Sequence, residues 1–281
     1  MTVSTLAPFL HPEGFTRPPL GAVLREGSVV GESGRYLVRS WEDRRAFRGR
    51  SLSDRLAPRA EHPVILVPGF MAGDGSLALL ARSLRRQGFR TYRSHIHANV
   101  GCTVGASALL EQRLESIAHR RGSRVQIVGH SLGGLLARGL AVRRPDLVAG
   151  IVTLGSPMLA PAAHHISLTR SVDVLVRLGR AGVPGLMSED CVAGRCARAS
   201  FDEARADLSD DIAFTAVYSR RDGIVDWRAC IDPLATPVEV TASHSGMAFD
   251  PRVGDVVVAA LRDVGRLGGA SVLEVDGGVL A

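Results

Sequence analysis

Residues 125–141 place the strongest constraint on what this chain can become. The apolar run Val125-Gln126-Ile127-Val128 meets Gly129-His130-Ser131-Leu132-Gly133-Gly134, and the helix-like run Leu135–Ala141 follows. Strand, G-x-S-x-G, helix is the pattern of a sharp turn that lifts a serine hydroxyl clear of the backbone. Side chains at Gly129 or Gly133 would strike the neighbouring strand or helix, so only glycine fits there. The helix N-terminus behind Ser131 offers partial positive charge to a developing oxyanion. Ser131 is therefore a candidate nucleophile for acyl transfer. In a chain with 31 glycines a bare G-x-S-x-G can arise by chance. The assignment rests on the flanking elements and on three further parts in the required order.

The first part lies upstream. The apolar strand Val64-Ile65-Leu66-Val67 runs into Pro68-Gly69-Phe70-Met71-Ala72-Gly73. Placed one βα unit before the elbow, this turn can supply an oxyanion donor from the backbone N–H of Phe70, with a second from Leu132. Read alone, Pro-Gly would mark only an ordinary strand-to-loop turn. The second part is an acid. Ile212–Tyr218 reads as a buried strand leading into Ser219-Arg220-Arg221-Asp222-Gly223-Ile224-Val225-Asp226. Two carboxylates compete for the role, and the position nearer the strand end favours Asp222 over Asp226. Either can instead be a turn residue that caps local backbone. The third part is a base. Val238–Val240 is a short strand, and His244 follows it in a loop before a final helix over about Pro251–Arg266. The order Ser131, Asp222, His244 lets His244 take the serine proton and return it to the leaving group, with Asp222 fixing the ring.

The other histidines carry less. His130 sits inside the elbow, and its ring packs beside the turn without easy reach of the Ser131 hydroxyl. His95 and His97 are two apart on a strand end, a weak metal hint outweighed by solvated or satisfied rings. His164 and His165 lie near the expected mouth, after Gly155-Ser156-Pro157, where substrate contact is open to them. His11, His62 and His119 carry no signal.

Composition narrows the partners. A length of 281 residues suits one large α/β domain with room for a lid. The chain contains no lysine; all 34 of its Lys+Arg positions are arginine, and the formal charge is +6. The lack of lysine excludes Ser-Lys and Schiff-base mechanisms. With aromatics at 5% and no aromatic interleaving of the arginines, nucleic acid is a poor partner. A solvated arginine face is the plainest account of the charge, and transient contact with an anionic lipid surface stays open. Cys102, Cys191, Cys196 and Cys230 fit no zinc spacing. Cys191 and Cys196 form a small disulfide loop if the protein is exported, or remain thiols in a reducing compartment. The first twenty residues lack a basic start followed by an apolar core, so the default expectation is no signal peptide and a cytoplasmic location.

The chain divides into three parts. Residues 1–60, rich in Pro, Gly and Arg, read as an N-terminal extension packing on the core, with a helix near Trp41 to Leu56. Residues 61–267 alternate strand and helix: helix Ser76–Gln87, strand Phe89–Arg93, helix Gly105–Arg121, then, beyond the elbow, strand Val148–Leu154. Such alternation predicts an α/β fold with a mainly parallel sheet covered on both faces. The stretch 158–211 interrupts it between two core strands. Leu168, Val172, Leu175, Val176 and Leu178 mark an amphipathic helix there, read as part of a substrate-covering lid. Residues 268–281 form a tail.

On Val64–Gly69, Gly129–Gly134, Thr153-Leu154-Gly155-Ser156-Pro157, Asp222–Val225 and His244–Met247, the chain resembles the lipase-like branch of α/β-hydrolases. The resemblance covers Val64 to about Arg266. It implies an α/β-hydrolase fold with a cap and hydrolysis of an acyl ester or lipid through a serine acyl-enzyme, without a cofactor or metal. It assigns Ser131 as nucleophile, Asp222 as acid, His244 as base, and Phe70 and Leu132 as oxyanion donors. Pro68 stands where many relatives carry histidine, a change the donor itself tolerates. Acyltransfer and thioester hydrolysis use the same machinery and remain alternatives. A hydrolase fold kept only for binding would be expected to have lost the serine or the histidine.

Overall fold

The computed structural model describes residues 6–48 and 62–270. Its centre is a six-stranded sheet of β1 (Val64–Val67), β2 (Thr91–Arg93), β3 (Val125–His130), β4 (Val148–Leu154), β5 (Ala213–Tyr218) and β6 (Thr236–Glu239). The order is β2-β1-β3-β4-β5-β6, with every neighbouring pair parallel. Period-two alternation sends successive side chains to opposite faces. Val64, Leu66, Val128, Val152 and Val217 pack with Leu80 and Leu84 of α2 (Ala78–Arg86) and Val253, Val257 and Leu261 of α8 (Pro251–Ala270). Ile65, Val67, Ile127, Ile151 and Phe214 pack with Leu110, Leu114 and Ile117 of α3 (Thr103–Arg121) and Leu136 and Leu140 of α4 (Leu132–Arg143). Each fully buried aliphatic side chain contributes about 1.5–3 kcal/mol. Both faces of β1, β3 and β4 are covered, which is why those strands read as continuous apolar runs.

Helix ends follow local chemistry. α3 stops at Gly122, whose φ of 62° is left-handed and whose N–H donates to the Ala118 carbonyl. α8 opens with Pro251 at its first position, after Asp250, whose Oδ1 accepts from the Arg252 N–H at 2.9 Å.

Within the described residues the extension begins its helix earlier than expected. α1 spans Val29–Arg48, starting twelve residues before Trp41. Gly31 and Gly34 disfavour it locally, and tertiary contacts override that preference. Arg35 pairs with Asp250 at 2.8 Å, Arg39 with Asp255 at 3.1 Å, and Asp43 with Arg86 at 3.2 Å. The remainder of the expected helix, to Leu56, lies outside the described residues, as do positions 271–281 of the tail. β2 begins at Thr91 rather than Phe89, because Phe89 turns into the core beneath α2. β6 is Thr236–Glu239, two residues upstream of the expected start, with Pro237 admitted at the sheet edge.

Between β4 and β5 the chain leaves the sheet through α5 (Ile166–Arg180), α6 (Asp190–Ala193) and α7 (Arg195–Glu203). Val172 and Val176 of α5 bury against Met187 and Val192, the packing expected of the amphipathic stripe. Among the described residues no helix is long and apolar enough to cross a membrane.

Candidate active site

The elbow between β3 and α4 is as tight as glycine allows. Ser131 has φ 52° and ψ −120°, a strained conformation for a residue with a side chain. A Cβ at Gly129 would lie 2.5 Å from the Gly133 carbonyl oxygen; one at Gly133 would overlap the Val67 carbonyl, and one at Gly134 the Ser156 hydroxyl. The Ser131 N–H donates to the Leu154 carbonyl at 2.8 Å, pinning the turn to β4.

The loops that carry the candidate acid Asp222 and the candidate base His244 meet. Asp222 Oδ2 lies 2.7 Å from His244 Nδ1, with both side chains buried. Asp222 Oδ1 accepts from the N–H groups of Ile224 and Val225, each at 2.8 Å, so the carboxylate is fixed from both sides. Gly155, φ 56°, lets β4 end against this pair: a Cβ there would sit 3.1 Å from His244 Nδ1 and 3.3 Å from Asp222 Oδ2. Burial depresses the His244 pKa, but the Asp222 charge and hydrogen bond, aided by Glu26, outweigh it and raise the value above its ordinary one. Asp226 is elsewhere occupied. It caps the 3-10 turn Trp227–Cys230 through the Arg228 N–H at 3.1 Å and accepts from the Thr16 N–H at 2.9 Å. The structure thus joins Asp222 to His244; among the described residues it forms no Ser131–His244 hydrogen bond.

His130 is a support. Its Nε2 lies 2.9 Å from the His244 carbonyl, which can only accept, so Nε2 carries the proton. Burial, then the neighbouring His244, pushes its pKa down to about 4, and the ring is neutral at pH 7. His164 borders the cleft, and burial likewise holds it near 4. His165 instead caps α5 through the Ser167 N–H.

The Pro68–Gly73 loop curls over the serine. Gly69 closes on Ser131 Cβ, where an added Cβ would be 3.0 Å away. Met71 has φ 58°. Asn99, 2% exposed, holds the loop: its Nδ2 donates to the Pro68 carbonyl at 3.0 Å, and its backbone exchanges hydrogen bonds with Met71 and Ala72. Among the described residues the Phe70 N–H makes no backbone hydrogen bond, and the Leu132 N–H is a first-turn helix donor without an intrahelical partner.

Phe70, Ser131 and Leu132 open onto a largely apolar cleft. Leu135 and Leu136 of α4 line it together with Leu168, Val172, Met187 and Phe201 from the insertion. Thr103, Ser107, Ser200 and Glu203 add polar groups to its lining.

Asn99 and Glu26 carried no signal in the sequence, being single polar residues in irregular segments. The cysteines are all thiols, and Cys102 lies against Cys191 and Cys196. Among the described residues no group of three or more His, Cys, Asp or Glu is arranged to hold a metal.

A parallel sheet with an elbow serine after β3, an aspartate after β5 and a histidine after β6 is the arrangement of the α/β-hydrolase fold. The chain has the α/β-hydrolase fold, and the proteins it resembles are lipases. A family model described as a PGAP1-like alpha/beta domain matches residues 106–179. A triacylglycerol lipase of Vibrio cholerae is 29% identical over 110 residues, 37% of this chain and 35% of that protein. One from Pseudarthrobacter phenanthrenivorans is 30% identical over 106 residues, 34% of this chain and 33% of that protein. The aligned stretches thus span about a third of these relatives. The mature lipase of Bacillus licheniformis superposes with a TM-score of 0.57 at 14% identity, over 73% of this chain and 94% of that one. Lipase B of Aspergillus fumigatus gives 0.53 at 16%, over 76% and 59%.

Proposed function

We propose that the protein hydrolyses carboxylic esters of apolar acyl chains through a covalent Ser131 acyl-enzyme. The observation that carries this reading is the buried Asp222–His244 pair next to a strained elbow serine at the mouth of an apolar cleft. With Nδ1 committed to Asp222, the His244 Nε2 is left to take the Ser131 proton. The alkoxide attacks the ester carbonyl, and the Phe70 and Leu132 N–H groups receive the oxyanion. His244 then protonates the departing alcohol, and water attacks the acyl-enzyme by the reverse route. The elbow, the acid and the base require no cofactor.

The position of Glu203, which lines the cleft, supports a medium acyl chain. Glu203 lies over Gly139, where an added Cβ would be 2.7 Å from its Oε2. Gly139 is eight residues along α4 from Ser131, about 12 Å at ~1.5 Å per residue. An extended acyl group of octanoyl to decanoyl length fills that reach before meeting Glu203.

The test is turnover of p-nitrophenyl esters from acetate to palmitate, wild type beside Ser131→Ala. Expected is an optimum at octanoate to decanoate and loss of turnover in the variant. Equal rates in both proteins would refute the site. Fluorophosphonate labelling at Ser131 without hydrolysis would point to transfer onto another acceptor.

A further inference from the structure

The segment Leu20–Ser28, a run of 3-10 turns ahead of α1, reaches the loops that carry Asp222 and His244. Glu26 Oε1 accepts from the Gly223 N–H at 3.1 Å and from the His244 N–H at 3.0 Å. Its Oε2 accepts from the Ser245 N–H at 3.0 Å. Gly223 directly follows Asp222, so one carboxylate spans from the acid's loop to the base's loop. The approach is close enough that a Cβ on Gly223 would overlap the Ala22 carbonyl. Glu32, 1% exposed, secures the same base loop by accepting from the Ser243 N–H at 2.8 Å and the Ser243 hydroxyl at 2.6 Å.

We propose that Glu26 is a positioning residue for the hydrolysis proposed above, setting the spacing of Asp222 and His244 by gripping both loops. It touches neither Ser131 nor the cleft, so it acts through the other two. Three N–H donors suit a carboxylate because all its lone pairs accept, and bonds to an ionised acceptor are about twice as strong as neutral ones. The charged and titratable groups around His244 are Asp222 against Nδ1, the neutral His130 ring at 4.9 Å centroid distance, Glu26 on the His244 N–H, and Glu32 one residue away. Glu26 adds to Asp222 in favouring the imidazolium that forms during each proton transfer.

Two variants separate grip from charge. Glu26→Ala removes both. Glu26→Gln keeps an oxygen for Gly223 and His244 and removes the charge. The ester assay gives kcat and KM across pH, and NMR titration gives the His244 ring pKa independently of turnover. For Glu26→Ala, kcat falls roughly tenfold to a hundredfold, the cost of a misplaced group, with KM unchanged. For Glu26→Gln most of kcat returns, while the acid limb of the pH profile and the NMR pKa both move down. Wild-type kcat in Glu26→Ala together with an unmoved His244 pKa in both variants would overturn the proposal. So would equal losses in Ala and Gln with the pKa unmoved, which mark a purely structural contact. A wild type that turns over no ester fails the hydrolase reading alone, and the NMR titration still decides on Glu26.

Discussion

Replacing Asp222 by asparagine tests the site at its most determined point. Oδ1 of Asp222 accepts two backbone N–H groups, from Ile224 and Val225. An asparagine there must present its carbonyl oxygen to those donors, since an amide NH2 cannot accept. Turning the amide over sets its NH2 against two N–H groups, leaving each without its acceptor at about 1–3 kcal/mol apiece, or about 2–6 kcal/mol together. The NH2 therefore faces His244 Nδ1 and donates to it. That leaves Nδ1 bare and puts the proton on Nε2, the nitrogen that must receive the Ser131 proton. The imidazolium also loses its charged partner at 2.7 Å. The expected fall in kcat is about 10⁴-fold, or ~5.4 kcal/mol at ~1.36 kcal/mol per decade. Asp222→Ala loses the charge without imposing the wrong tautomer, so it retains at least as much activity as the asparagine variant. The assay is p-nitrophenyl octanoate hydrolysis at pH 7, beside fluorophosphonate labelling rates and thermal unfolding of both variants. An asparagine variant tenfold more active than the alanine one, with both folded, would refute the tautomer argument.

Three other outcomes are expected. Asn99→Ala frees the Pro68 carbonyl and loosens the Phe70 donor without removing it, so single-turnover acylation slows by about tenfold, less than the ~10²–10³ of a lost donor. Asp232→Ala strands Arg138, 1% exposed and paired with it at 3.4 Å, and costs about 3–5 kcal/mol in chemical denaturation; Arg138→Met with Asp232→Leu costs much less. Stability falls as pH drops from 6.5 towards 4. In that window the unfolded chain protonates His130 and His164 while the native rings, held down near 4 by burial, stay neutral. Calorimetry showing a flat midpoint there would contradict both buried neutral rings.

The legible parts of this chain are those whose physics is local. A strand buried on both faces must be apolar throughout, and an elbow must carry glycines where backbone meets backbone. Val64–Val67, Val125–Val128 and Gly129–Gly134 are therefore legible residue by residue. Asp222 was favoured over Asp226 on chain position, and the geometry separates them on hydrogen bonds: one holds a histidine ring, the other caps a turn. What stayed hidden was set by long-range meetings. Glu26 and His244 are separated by 218 positions, Asn99 and Pro68 by 31, and neither pair has a spacing that marks it. The helix of the extension starts earlier than its sequence signals for the same reason, since propensity penalises Gly31 and Gly34 while the ion pairs that hold α1 lie on α2 and α8. A segment without periodicity was thus easy to treat as packing around a finished enzyme. Its contacts argue otherwise: Thr16, Glu26 and Glu32 each end on the loops that carry the acid and the base, so the extension is part of how that corner keeps its shape.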